Sequence, residues 1–239
     1  VNIFKSVRTC SSGESVWTAG VRGQFPEGID EEYIVKGNRL KTNGYLHVEG
    51  YENIYAIGDI SGHISLVNVG ELEGRHCVEK MFSDVQPARI SYDNISNIMF
   101  LDPEVAAVGM NEKQCIEAGI PVKVVKIDYS CIARAIAMRK TEGFFKIIVT
   151  NDKEMKILGM RAIGEHASSA IQAVALLIKM NKGIEELAEL IHPHPSIIEG
   201  IQECVRMLLN KSVFKSSIFK DKLKCYSCVD GLCTPLQRL

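Results

Sequence analysis

Little in this chain suits it to a bilayer or to a polyanion. No apolar run approaches the roughly 18 residues that a helical membrane span needs. The formal net charge of -1 gives no broad positive field for nucleic acid or an anionic lipid surface. The opening residues lack the basic, apolar and small-residue blocks of a signal peptide. The chain starts at Val1 without an initiator Met and so reads as a fragment or processed product. There is no internal repeat and no low-complexity block. No G-x-G-x-x-G follows a strand, so these residues alone cannot cradle a dinucleotide pyrophosphate in the usual way. What remains is ordinary globular composition: 46% hydrophobic and 24% charged over 239 residues, enough for one large or two modest domains.

The eight cysteines fall into two groups. Cys10, Cys77, Cys115, Cys131 and Cys204 are scattered through apolar contexts, as buried reduced thiols are. Cys225, Cys228 and Cys233 cluster near the end. A disulfide framework is not expected in a chain this size, which favours a reducing compartment. The spacings Cys225-x-x-Cys228 and Cys228-x₄-Cys233 leave three readings open. The cluster is an exposed tail, a thiol shuttle or disulfide pair, or a zinc site if a fourth ligand arrives.

Patterning predicts a short buried strand at Ser15–Gly20, a hairpin over Asn38–Val48 and a second buried strand at Ile54–Ile57. A helix follows over Asn68–Phe82, with Val69, Leu72, Cys77, Val78, Met81 and Phe82 at helical spacing. Gly70 and Gly74 inside it cost about 1 kcal/mol each against alanine, which points to a close backbone approach. A boundary is expected near Gln86–Arg89, where the texture turns to α+β. Strands are expected at 97–101, 105–110, 122–127, 144–149 and 155–162. Helices are expected at 112–118, 167–180, 184–190 and 197–209. From Lys211 onward periodicity fades and lysines suggest an exposed tail.

The stretch His192-Pro193-His194-Pro195-Ser196-Ile197-Ile198-Glu199 carries the most chemistry. It sets an imidazole just before a helix and a carboxylate in the first turn, the parts of an oriented acid/base pair. Ser196-x-x-Glu199 is equally a capping box, with the serine oxygen as the cap. The two prolines suit a cis peptide. His192 reads as a structural or rim histidine and His166 as an exposed helix start; no metal-ligand spacing links the histidines. Asp59, at the carboxyl end of a strand after Gly58, either accepts hydrogen bonds from a ribose-like chain or caps a turn. N–H groups near Leu66–Asn68 would meet a partial negative charge.

Four blocks together resemble the flavin-dependent pyridine nucleotide-disulfide oxidoreductases, dihydrolipoamide dehydrogenases above all. They are Trp17-Thr18-Ala19-Gly20-Val21-Arg22, Asn53-Ile54-Tyr55-Ala56-Ile57-Gly58-Asp59, Phe100 to Gly109, and Ile157 to Gly164 with the His192–Glu199 block. The resemblance implies a C-terminal, antiparallel α+β dimerisation domain at 89–210. Ahead of it, 1–88 would be the last part of the NAD- and FAD-binding α/β region; 211–239 would be a Cys-containing tail. It implies Gly20 in the closing strand of the NAD-binding domain, Gly58 and Asp59 at the ribityl chain of FAD, and Leu66–Val67 at the flavin pyrimidine edge. It implies His194 as acid/base oriented by Glu199, a cis His194–Pro195 peptide, NAD(P) as electron partner, and a homodimer. The histidine would serve the other subunit's disulfide on a substrate such as dihydrolipoamide. The location would be the cytoplasm, or the mitochondrial matrix in a eukaryote. The family's usual Ala-His pair reads Val67-Asn68 here, and Pro193 replaces a small residue. The family's first FAD motif, redox C-x₄-C and NAD glycine motif would all lie upstream of Val1, and Cys228-x₄-Cys233 imitates the redox spacing at the wrong end, so the isolated chain is expected to be inactive. Two alternatives stand beside this: a glutathione or mercuric reductase-like member of the family, and a noncatalytic dimerisation module with a metal- or thiol-active tail.

Overall fold

A computed structural model of the chain describes residues 4–9, 15–20, 24–25, 27–35, 38–214, 218–219 and 221–236. The chain divides into two compact units, Val1–Ser91 and Tyr92–Leu239. Among the described residues no helix is long and apolar enough to cross a membrane.

In the first unit, β1 (Phe4–Thr9) pairs antiparallel with β2 (Ser15–Gly20), and β3 (Ile34–Val35) with β4 (Arg39–Leu40). Cys10 and the Val21–Arg22 end of the first block lie outside the described residues. The expected hairpin closes through a bridge between Thr42 and Val48. The strand expected at Ile54–Ile57 is instead an extended segment with one bridge, Tyr55 to His47. Leu46 is the reason. It sits at φ 66, outside extended space, so the segment pairs only locally, Val48 N–H to Ile54 O and Ala56 N–H to Leu46 O. Leu40, Val48 and Ala56 form the small core beneath it.

A 3-10 turn at Gly58–Ile60 leads to α1 (Val67–Phe82). The buried face of α1 is Val69, Glu73, His76 and Cys77; Val69 and Cys77 belong to the predicted stripe, whereas Val78, Met81 and Phe82 are exposed. The close approach at Gly70 is real, and it is to the turn. A Cβ there would lie 3.3 Å from Gly58 Cα.

The second unit is built on a seven-stranded antiparallel sheet of order β11-β10-β7-β8-β9-β6-β5. Its strands are β5 (Asn97–Met99), β6 (Val105–Gly109), β7 (Val122–Asp128), β8 (Phe144–Thr150), β9 (Ile157–Ile163), β10 (Leu223–Val229) and β11 (Leu232–Pro235). Alternating Val and Ile give β7 two buried faces. Val125 and Ile127 belong to the large core with Phe145, Ile171, Val174 and Ile201. Val122 and Val124 belong to a smaller patch with Cys115, Ile148 and Cys228.

The helices are α2 (Glu112–Glu117), α3 (Ala133–Met138), α4 (Ala167–Ala170), α5 (Gln172–Lys179), α6 (Glu185–Ala188) and α7 (Glu199–Leu208). α2 starts with a complete capping box, Asn111 with Gln114. The mixed fold with an antiparallel sheet is the architecture expected.

The end of the chain departs from expectation. Residues 223–235, read as tail, complete the sheet. β10 pairs with β7 from Leu223↔Ile127 to Cys228↔Val122. Leu223 and Cys225 are buried in the large core and Cys228 in the smaller patch, while Lys224 and Val229 are exposed. The lysine that suggests a tail is simply the outward rung of a strand. Tyr226 ties the strand to α2 by donating to Glu112, which also accepts from Lys146. The zinc reading fails on the same geometry. Positions 225 and 228 are an odd number apart on a strand, so they face opposite sides of the sheet, and Cys228 is bonded to Cys233. Cys225, deep against the large core, is pushed up to about 11 by burial.

Candidate active site

Pro193 and Pro195 keep the chain extended ahead of α7, since each fixes φ and restrains its predecessor. The His194–Pro195 peptide is cis. After a turn at Ile197–Ile198, α7 begins on Glu199. From that first helical position the carboxylate reaches back over the segment. Its Oε2 accepts the Ser196 N–H at 2.7 Å, and its Oε1 lies 2.8 Å from His194 Nδ1.

A carboxylate can only accept, so in the neutral imidazole Nδ1 carries the proton and Nε2 is left as the acceptor. The His194 side chain is 72% exposed and Glu199 is 25% exposed. Burial pushes the Glu199 carboxyl up, but the Ser196 N–H and the His194 hydrogen bond and charge pull it down further, to a net position below the ordinary range.

A carboxyl held low in the folded state contributes stability that is complete above its ordinary range. That stability is lost as pH falls through the depressed folded value. The gap in urea midpoint between the native chain and Glu199→Gln is therefore expected to be widest near neutrality and to close toward strongly acid pH. An unchanged gap would remove the interaction.

Ser196 is not the cap. Its hydroxyl is buried with no hydrogen-bond partner among the described residues, and α7 has no side-chain cap. Only half of the capping box forms, because the helix starts at the glutamate rather than two residues before it. His192 is a structural residue whose Nδ1 meets Leu190 O at 3.0 Å, and His166 stands exposed at the start of α4.

Two neighbours of the pair escape sequence reasoning. Gly200 lets α7 settle on the sheet: a Cβ would lie 2.5 Å from Ile132 Cδ1 and 2.7 Å from Phe145 Cδ2. Glu203, 4% exposed, accepts from Ser212 Oγ and from Arg206 at 3.4 Å. Gly200 and Glu203, together with Glu199 and Cys131, line a cavity of about 130 Å³. The signal for Glu203 was a carboxylate one turn beyond Glu199, inside an otherwise apolar face.

The remaining site residues lie in the first unit. Gly58, at φ 66, donates its N–H to Glu73 Oε2 at 2.6 Å, while Ser61 Oγ donates to Gly58 O at 2.8 Å. Glu73 is fully buried. Sequence reasoning missed it, though a charged residue one turn after Val69 on the buried face was the available sign. With the turn held from below, Asp59 is exposed. Leu66 precedes α1 with no side-chain cap on the helix, and Val67 is exposed. Gly20 closes β2 opposite Phe4. An exposed carboxylate can accept from a polyhydroxyl chain, and the N–H groups of an uncapped helix N-terminus can donate to a carbonyl-bearing ring edge.

Comparison with known proteins sets this geometry in a family. Residues 95–205 match the pyridine nucleotide-disulphide oxidoreductase dimerisation domain. Residues 95–205 belong to this family. Among curated oxidoreductases it is similar to the dihydrolipoyl dehydrogenase of Chlamydia muridarum, 37% identical over 72% of this chain and 37% of that protein. The mitochondrial dihydrolipoyl dehydrogenase of Pisum sativum is 31% identical over 85% of this chain and 39% of that protein. The chain thus spans about two fifths of the length of these relatives. Of solved structures, LpdA from Mycobacterium tuberculosis superposes with a TM-score of 0.72 at 23% identity, over 84% of this chain and 45% of that one. The HOCl-induced flavoprotein disulfide reductase RclA from Escherichia coli gives 0.64 at 25% identity, over 73% and 40%.

Proposed function

We propose that these residues act as the C-terminal part of an FAD-dependent dithiol–disulfide oxidoreductase and supply its acid/base and its dimer surface. The observation that carries this is the 2.8 Å contact from His194 Nδ1 to Glu199, which turns a free imidazole nitrogen outward. In this reading residues 1–88 are the last part of the NAD- and FAD-binding region and 89–210 the dimerisation domain.

His194 Nε2 takes the proton from a thiol of a substrate such as dihydrolipoamide, and the thiolate attacks a disulfide held by the partner subunit. Glu199 fixes the tautomer and stabilises the imidazolium that results. Asp59 and Gly58 would hold the ribityl hydroxyls of FAD, and the N–H groups at Leu66–Val67 its pyrimidine edge. When bound, FAD supplies the two-electron relay between that disulfide and NAD(P).

The exposure of His194 supports a site completed by a second copy of the chain, as does that of Ile191, 92% exposed three residues earlier. A subunit-mixing experiment tests this. Subunits of the flavoenzyme carrying His194→Gln are dissociated and reassociated with subunits that lack the redox disulfide. Random pairing makes half the dimers mixed, each with one intact site, so activity is expected to recover to about a quarter of the native level. No recovery, with dimers re-formed, rejects a shared site.

A further inference from the structure

The hairpin of β10 and β11 lies beyond residue 205, where the match to the family's dimerisation domain ends. Its two cysteines stand directly opposite each other in register, Cys228↔Cys233, and are joined by a disulfide. Their surroundings differ sharply. Cys228 is 2% exposed and packs with Cys115, Val122, Val124 and Ile148. Cys233 lies on the outermost strand, all four residues of which are exposed. Asp230 at φ 48 and Gly231 at φ 78 form the kind of turn that two-residue hairpins favour. That turn holds the two side chains opposed whether or not they are bonded.

We propose that Cys228–Cys233 is an accessory disulfide site that accepts two electrons from a small dithiol, with Cys233 as the sulfur attacked. This goes beyond the acid/base reading and stands without it. The thiolate of the dithiol attacks Cys233 Sγ, the Cys228–Cys233 bond breaks, and Cys228 leaves as a thiolate that takes up a proton. The second thiol of the reagent then attacks its own sulfur in the mixed disulfide and releases Cys233. Two electrons and two protons have passed to the pair, and the dithiol has become a cyclic disulfide.

The fixed hairpin also selects the reagent. After the first attack Cys228 stays beside the mixed disulfide and expels a monothiol by closing again. A dithiol escapes because its second thiol competes intramolecularly.

The test uses the intact, oxidised chain, treated with dithiothreitol or with glutathione at equal thiol concentration, then alkylated and mapped by mass spectrometry. Dithiothreitol is expected to open Cys228 and Cys233 together, at least about tenfold faster than glutathione. Glutathione is expected to leave its transient adduct on Cys233. An adduct on Cys228, equal rates with both reagents, or opening only after denaturation would each overturn the proposal. So would two free thiols before any reductant is added. With Cys233→Ser, Cys228 should alkylate slowly; fast alkylation would remove the asymmetry on which the proposal rests.

Discussion

His194→Gln is expected to lower kcat for dithiol oxidation by about 10²–10⁴-fold in the complete flavoenzyme, the usual worth of a positioned general base. Glutamine keeps comparable size and can still donate a hydrogen bond to Glu199, so the segment before α7 should hold its shape. It cannot take a proton from a thiol. The loss should therefore fall on kcat and kcat/KM together, with little change in KM. Supplying the substrate at a pH where its thiol is already ionised should recover part of the rate in the variant. Steady-state kinetics across pH decides the matter: a loss under about tenfold, or one confined to KM, would leave His194 as a binding residue only.

The largest effect on stability is expected from Phe145→Ala, about 3–5 kcal/mol. Phe145 is fully buried, and its ring meets Tyr129 edge-on with centroids 4.9 Å apart. It lies on β8, which is paired on one side with β7 and on the other with β9. A strand held on both sides cannot move in to fill the cavity, which places the cost toward the upper end of that range. The ring also packs under Gly200, next to Glu199, so the same truncation should loosen the carboxylate that holds His194. Amide exchange in β7, β8 and β9 reports the opening free energy of this unit. Loss of protection equivalent to less than about 1 kcal/mol would mean that the site collapses around the missing ring.

The parts of the fold legible in the sequence are those with sustained periodicity. Residues 105–109, 122–128, 144–150 and 157–163 form strands because Val, Ile and Ala recur at alternate positions there. α7 shows its stripe through Ile201, Cys204, Val205 and Leu208, all buried. The pairing of His194 with Glu199 was readable because prolines delay the helix and the glutamate falls within its first turn.

What was not legible is short or carries charge inward. α3 spans six residues, too few to display a period. β10 mixes lysine, serine and cysteine, so its alternation is hidden until β7 supplies an edge for it. Glu73 and Glu203 are buried carboxylates. A hydropathy pattern counts such residues as surface, and only their partners, Gly58 N–H and Ser212 Oγ, show why they are inside. Ser196 shows the reverse error: a capping signature whose hydroxyl goes unused once the helix begins later than the motif implies.

The pairing of β10 with β7 also sets an order of events during synthesis. Ile127 waits for Leu223, so one edge of β7 stays open while almost the whole intervening chain is made. That edge carries Val122, Val124, Val125 and Ile127, all buried in the finished fold. Such a strand invites pairing with another nascent copy. Lys123 and Lys126 interrupt it, as gatekeeper charges do in strands that must wait. Strand β10 thus acts as a late stopper, and a polypeptide released before residue 223 would carry β7 with an unprotected side.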